Sequence, residues 1–322
     1  EPRLNLSIDF QPVRGILGTV AKALATAERD ALVRNASNTA ADDPSRRDAA
    51  RLSSCEGGAG YWSEAIPSRQ SLRLTDPEFV SAVRHRLGLP QIPQGSVRRC
   101  QLSSTRQTNP VDADPLGCVA CGQLLDPFLD HALCCAKGGG FYRVHGAIAR
   151  AVTSMAHEAG CEVSAEETVP ELLQGEPGSP EAVEARLDLH IWTPGPGPTE
   201  WWVDVTHHHA WAVRYRSGTL TPGKVALDAE KQKSDRYGPG SGGVVVTLAA
   251  MESWGRLGPG FERLLRQLEA RWAGLRHADA SAAAATGRRW RAELGVAQAR
   301  ALHVTLSRAN RTSRESEGSP EA

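Results

Sequence analysis

Cys118 and Cys121 form a C-x2-C pair, and His131, Cys134 and Cys135 follow within a short stretch. Thiolates and one imidazole at such spacing can close a tetrahedral zinc site, each pair being supplied by a tight turn. Cys134 and Cys135 are equally placed to give the fourth ligand. Buried free thiols are the plainer alternative, but a C-x2-C pair with a histidine and a cysteine close behind is seldom accidental.

A second group consists of carboxylates. In ARLDLHIW, residues 185–192, alternation puts Leu187, Leu189 and Ile191 on one face and Arg186, Asp188 and His190 on the other. In WWVDVTH, Val203 and Val205 take one face and Trp202, Asp204 and Thr206 the other. Pairing these strands across the Pro/Gly-rich link 193–199 brings Asp188 and Asp204 to a common side. Two carboxylates there repel unless a divalent cation holds them, and magnesium, which prefers oxygen donors, suits them. Taken alone, two solvent-facing aspartates would be the simpler explanation. The next helix shifts the balance: Ala226, Ala229, Lys233 and Tyr237 share a face, so Lys233 projects toward the sheet, within reach of metal-bound water. Lys231 and Arg236 suit a solvated face. Glu166 or Glu167 on the preceding strand, or Glu158 before it, is expected to complete the acidic site, and spacing leaves the choice open. His207, His208 and His209 alternate faces along a strand and cannot all reach one ion.

The elements that must position these groups can be read from periodicity. Residues 1–50 carry one amphipathic helix through Ile16, Leu17, Val20, Leu24 and Leu32, then a polar linker from Asn35 to Arg51. Residues 51–117 read as a connector, with a helix started at Thr75-Asp76-Pro77 and stopped by Gly88 and Pro90, then a loop-like stretch 91–117. The cysteine cluster is expected as a separate small knob within 118–140. Residues 141–260 follow as an α/β core in the order αβββαβ: helix 141–159, strands 161–169, 185–192 and 200–207, helix 224–237 and strand 243–251. Residues 261–322 are expected as a helical tail with a disordered polar end.

Lys plus Arg and Asp plus Glu are equal at 37 each, so net charge says nothing about partners. Its distribution says more. Between Arg263 and Arg314 lie eleven arginines against Glu269, Asp279 and Glu293, and such a tail can neutralise phosphates without reading sequence. A solvated helix face explains it equally well. No apolar run is long enough for an ordinary membrane span. Seven cysteines, four of them clustered, point to a reducing intracellular compartment rather than a disulfide scaffold.

The order helix, strand, "RLD", strand "VDVT", helix "KSDRY" resembles the PD-(D/E)XK nuclease core in a form found in certain non-LTR retrotransposon polyproteins. In that form the catalytic lysine stands on the helix after the core strands. "DHALCCAKGGGFYRVHGAIARAV" is similar to the zinc-knuckle signature placed before that endonuclease. "GAGYWSEAIP" and "LRLTDPEFVSAVRHRLGLP" are similar to the connector that follows the reverse transcriptase, and "MESWGRLG" to the segment closing the core. The resemblance covers residues 51–260. It implies a magnesium-dependent endodeoxyribonuclease with Asp188, Asp204 and Lys233 catalytic, joined by Glu166 or Glu167. It also implies a structural zinc held by Cys118, Cys121, His131 and Cys135. The enzyme would cut target DNA in the nucleus and leave a 3′-hydroxyl that primes reverse transcription, with element RNA as a second partner. Departures are Arg186-Leu187 in place of Arg-Pro, the Arg-His pair split as Arg143-Val144-His145 and the histidine run, and no reverse-transcriptase domain is expected within these 322 residues. They suggest an alternative: a zinc-knuckle nucleic-acid-binding module that no longer cuts.

Overall fold

The computed structural model describes residues 26–41, 43–103, 120–174, 183–195, 199–218, 220–237 and 244–311. Its centre is a four-stranded mixed sheet in the order β1-β2-β3-β4, formed by β1 (Glu162–Gln174), β2 (Val183–Trp192), β3 (Glu200–His208) and β4 (Val246–Glu252). The first two pairings are antiparallel and the third is parallel. Parallel neighbours need a crossover. Here helix α7 (Lys224–Tyr237) supplies it between β3 and β4. With helix α6 (Gly140–Glu158) ahead of β1, the order of core elements is αβββαβ, as periodicity predicts.

Local chemistry accounts for these boundaries. Helix α6 buries Val144, Ile148, Val152 and Met155 at helical spacing. It ends where Gly160 takes a positive φ of 72°, in a conformation that spares the chain a Cβ contact with Leu275. Both faces of β3 are covered, so its residues are almost continuously buried from Val203 to His207. The main core joins α6 and the sheet to helix α8 (Pro259–Arg276) and helix α9 (Ala280–Ala309), through Phe261, Leu264, Leu268, Trp290 and Leu294, all fully buried.

The terminal regions are therefore not appendages. Helix α9 runs roughly 45 Å by its residue count. It packs on α6 and α8, and also on helix α3 (Tyr61–Glu64) and helix α4 (Asp76–Leu87). Helix α4 starts and stops as expected, with a Thr75–Glu78 capping box and Gly88 left-handed at its end. The polar linker expected over 35–51 is instead the end of helix α1, residues 26–37, followed by helix α2 (Pro44–Ser54). Asp43 caps the backbone N–H of Ser45 at 2.8 Å, and Pro44 is pre-shaped for a first turn. This segment reads as polar because two of its buried side chains are arginines, Arg46 and Arg47. The expected helix through Ile16, Leu17, Val20 and Leu24, and the polar C-terminal residues 312–322, lie outside the described residues.

Glu230 locks α7, the helix that carries Lys233, to α8. Its buried carboxylate accepts from the N–H of Gly260 at 3.0 and 3.1 Å and of Phe261 at 3.4 Å, two of the orphan donors at the start of α8. Burial pushes this carboxyl above its ordinary range, and the backbone hydrogen bonds pull against that. Glu230→Ala is expected to cost about 1–2 kcal/mol, read from the urea midpoint, because those N–H groups lose their partner. An unchanged midpoint would show that α8 begins without this cap.

Candidate active-site cleft and metal centre

Strands β2 and β3 pair from Trp192↔Glu200 to Leu189↔Val203 and then part. Continued one step, the register sets Asp188 opposite Asp204. Beyond that point β2 pairs only with β1, and β3 only with β4. The Asp188 carboxylate fills the gap by accepting the Val205 N–H through Oδ2 at 2.6 Å. The same oxygen lies 3.0 Å from His145 Nε2 on α6, and that contact raises the His145 pKa. Asp204 is nearly buried, and Lys233 Nζ donates to both its oxygens, at 3.0 and 2.9 Å. The Tyr237 hydroxyl donates to Oδ2 as well. Burial drives the Asp204 pKa up, opposed by the Lys233 charge and the Tyr237 hydrogen bond.

These groups line a cleft of about 940 Å³, with Phe141, Tyr142, His208 and Arg214 on its walls. His208 Nδ1 faces Arg214 Nη2 at 2.6 Å, so Nδ1 is the acceptor, and the proton sits on Nε2, which donates to Thr206 Oγ1 at 3.0 Å. Burial, reinforced by Arg214 and Lys233, pushes the His208 pKa down to about 3. The three consecutive histidines all border this cleft but do not gather as a ligand set among the described residues. His207 is buried, and His209 contacts Ser253 Oγ at 2.7 Å and Asp130 at 3.3 Å.

Asp188, Asp204 and Lys233 thus converge as predicted, but the glutamates do not join them. Glu166 has a positive φ of 55° at the position that would face Asp188, and its exposed carboxylate pairs with Arg186 at 2.5 Å. Glu167 pairs with His190 at 3.1 Å, and His190 stacks on Trp202. Glu158 is taken by Arg289 at 2.6 Å and by Trp290 Nε1 at 3.1 Å. Sequence reasoning missed His145 as a partner of Asp188. Its signal was the Phe141 and His145 stripe, which runs beside the buried stripe of α6.

The second centre gathers Cys100, Cys121, His131 and Cys135, whose ligand atoms all lie within 4.8 Å of one another. Cys100 and Cys135 sulfurs are 4.0 Å apart, and Cys121 Sγ is 3.4 Å from His131 Nε2. Zinc–sulfur bonds of about 2.3 Å place tetrahedral sulfurs roughly 3.8 Å apart, so the set can hold a metal such as zinc. Residues 99–103 and 120–124 form the ribbon beneath it, with Cys121 N–H to Leu102 O at 2.7 Å and Gly122 N–H to Cys100 O at 2.9 Å. The other two ligands come from helix α5 (Asp130–Cys134) and its end, four residues apart on one helical face. Asp126 anchors that turn by accepting from the N–H of Phe128, Asp130 and His131.

Cys121, His131 and Cys135 belong to the set, whereas Cys134 is exposed. Cys118 lies outside the described residues. Cys100 was missed because residues 91–117 read as a loop, which concealed the strand pairing that carries it to Cys121. Nor is the cluster a separate knob: Cys100 and Cys135 pack with Leu306 and Ala309 of α9. Among the described helices none is long and apolar enough to cross a membrane.

Cys100→Ser is expected to release zinc measured in the purified chain, while Cys118→Ser retains it, because four donors already suffice. The opposite pattern would restore Cys118 to the site. In comparison with known proteins, no family model matches the chain, and neither a curated protein nor a solved structure matches it.

Proposed function

We propose that the chain is a metal-dependent endonuclease of the PD-(D/E)XK type, cutting target DNA to leave a 3′-hydroxyl, as its resemblance to retrotransposon endonucleases implies. One observation carries the reading: Asp188 and Asp204 meet where β2 and β3 part, with Lys233 on Asp204, at the wall of an open cleft. Opposed carboxylates, Asp204 buried and Asp188 part-exposed to the cleft, suit a hard divalent cation. Asp204 is held against the pull of its own burial, which a cation would relieve.

Magnesium bound there would polarise the scissile phosphate and the water that attacks it. Tyr237 fixes the Asp204 carboxylate, and His145 and the Val205 N–H fix that of Asp188. Lys233, half exposed on the cleft side, can orient the attacking water or neutralise a phosphate oxygen. Arg214, held by His208 on the cleft lining, supplies a further hydrogen-bonding group for the substrate backbone. The Cys3His set would hold zinc structurally, beside rather than within this chemistry.

A second reading, a nucleic-acid-binding module without cleavage, is favoured by one observation: Glu166 and Glu167 are engaged elsewhere, leaving two carboxylates in the described cleft. A magnesium-dependent cleavage assay on duplex DNA separates the two. Wild type should cut, Asp204→Ala should lose at least about a hundredfold in rate with DNA binding retained, and Lys233→Ala should slow cutting without weakening magnesium binding. No cutting by wild type with magnesium or manganese would favour the binding module. Cutting undiminished by Asp204→Ala would overturn the site.

A further inference from the structure

We propose that the groove between α6 and α9 is a second nucleic-acid site, which grips a phosphodiester backbone independently of the Asp188–Asp204 cleft. The groove has a volume of about 400 Å³ and is built from two matching helical stripes. Arg143, Ala147, Arg150 and Ser154 come from α6, and Ala297, Arg300 and Val304 from α9. These α6 residues flank the buried stripe on the side away from Phe141 and His145, which line the cleft. The two sites therefore use different faces of one helix.

Alanines share the lining with the arginines: Ala147 and Ala151 come from α6 and Ala297 and Ala301 from α9, small side chains that suit close packing of the two helices. Positive charge here is not balanced from within. Arg143 makes one long contact, 3.5 Å to Thr305 Oγ1, and burial together with nearby Arg308 lowers its pKa. Neither Arg143 nor Arg150 has a carboxylate partner among the described residues. Glu293, the one acid on the lining, is occupied by Arg289 at 3.1 Å and by the Ser71 hydroxyl at 3.0 Å. Arg300 is held in place because Nη2 donates to the carbonyls of Gln70, at 2.7 Å, and Arg73.

An ordinary solvated arginine face would be convex and its guanidinium groups independent. Here three arginines from two helices line one groove, and one is pinned. Guanidinium forks match phosphate oxygens, and adjacent phosphates of one strand present them in series. No aromatic ring lines the groove to stack on a base, so recognition is of backbone and not of sequence. DNA and RNA share that chemistry.

Fluorescence anisotropy without magnesium, using duplex DNA, single-stranded DNA and single-stranded RNA of about 20 nucleotides, tests the site. The variant Arg143→Ala/Arg150→Ala/Arg300→Ala should weaken at least one probe by about tenfold or more and lower its salt slope by roughly two. The control Arg34→Ala/Arg84→Ala/Lys231→Ala removes as much charge from exposed positions outside the groove, the cleft and the arginine-rich tail, and should leave binding within about twofold. The probe that loses most identifies the nucleic acid the groove serves. Arg150 is exposed, so Arg150→Glu should keep the wild-type thermal midpoint and weaken the same probe. Equal losses in groove and control variants, or no loss with Arg150→Glu and the triple, would overturn the inference. Cleavage by these variants, compared with Asp204→Ala, reports on the nuclease reading separately: binding lost without Asp204 dependence of cutting would sink that reading and leave the groove standing.

Discussion

Strands β2 and β3 stop sharing backbone hydrogen bonds at the step where Asp188 and Asp204 come opposite each other. An unpaired backbone N–H in a buried sheet is costly, and the Asp188 carboxylate meets that cost by accepting from Val205. One side chain thus lets the sheet open and stands at the opening. Asp204 is left at the mouth of the wedge with its burial offset by Lys233 and Tyr237, both from the helix that must cross from β3 to β4. Parallel pairing of β3 and β4 therefore has a chemical consequence, because it forces the crossover that delivers the lysine.

The Cys3His set, which could hold a metal, is tied to this opening through a short helix. Helix α5 carries His131 of the Cys3His set and, beside it, Asp130. The buried Asp130 carboxylate faces His209, just past β3, and pairs with Arg47 of α2, whose Nη2 donates at 2.9 Å. Burial would raise the Asp130 pKa, but the hydrogen bonds from His209 and Arg47 hold it well below the ordinary carboxylate range. Cys134 and Cys135 in turn form part of the cleft wall. Ordering the Cys3His set thereby orders one side of the cleft, and α9, packed against both α6 and the cysteine ribbon, closes the frame.

Much of the core was legible because its signals are local. Alternation along 185–192 and 200–207 put both aspartates on one side, and the stripe of Ala226, Ala229, Lys233 and Tyr237 turned the lysine inward. Alternation did not show that Leu187 leaves the main core for a second cluster with Val169, Leu172 and Tyr237, since the parting of the strands is a tertiary event. Nor could spacing reveal the partner of Cys121. Cys100 reaches it through a ribbon whose two halves lie about twenty residues apart in the chain, and neither half carries a strong strand pattern. The N-terminal helices were hidden for a related reason. Arg46 and Arg47 look like linker residues until Asp130 and backbone carbonyls of other segments are seen to receive them.

The account stands or falls on whether the opposed aspartates hold a divalent cation. Manganese, which substitutes for magnesium at oxygen sites and has its own electron paramagnetic resonance signal when free, reports this directly. Titrated with manganese, wild type should deplete the free signal, and Asp188→Asn/Asp204→Asn should leave it unchanged with zinc content and thermal midpoint retained. Equal manganese uptake by the two proteins would contradict the assignment of the cleft as a metal-dependent active site.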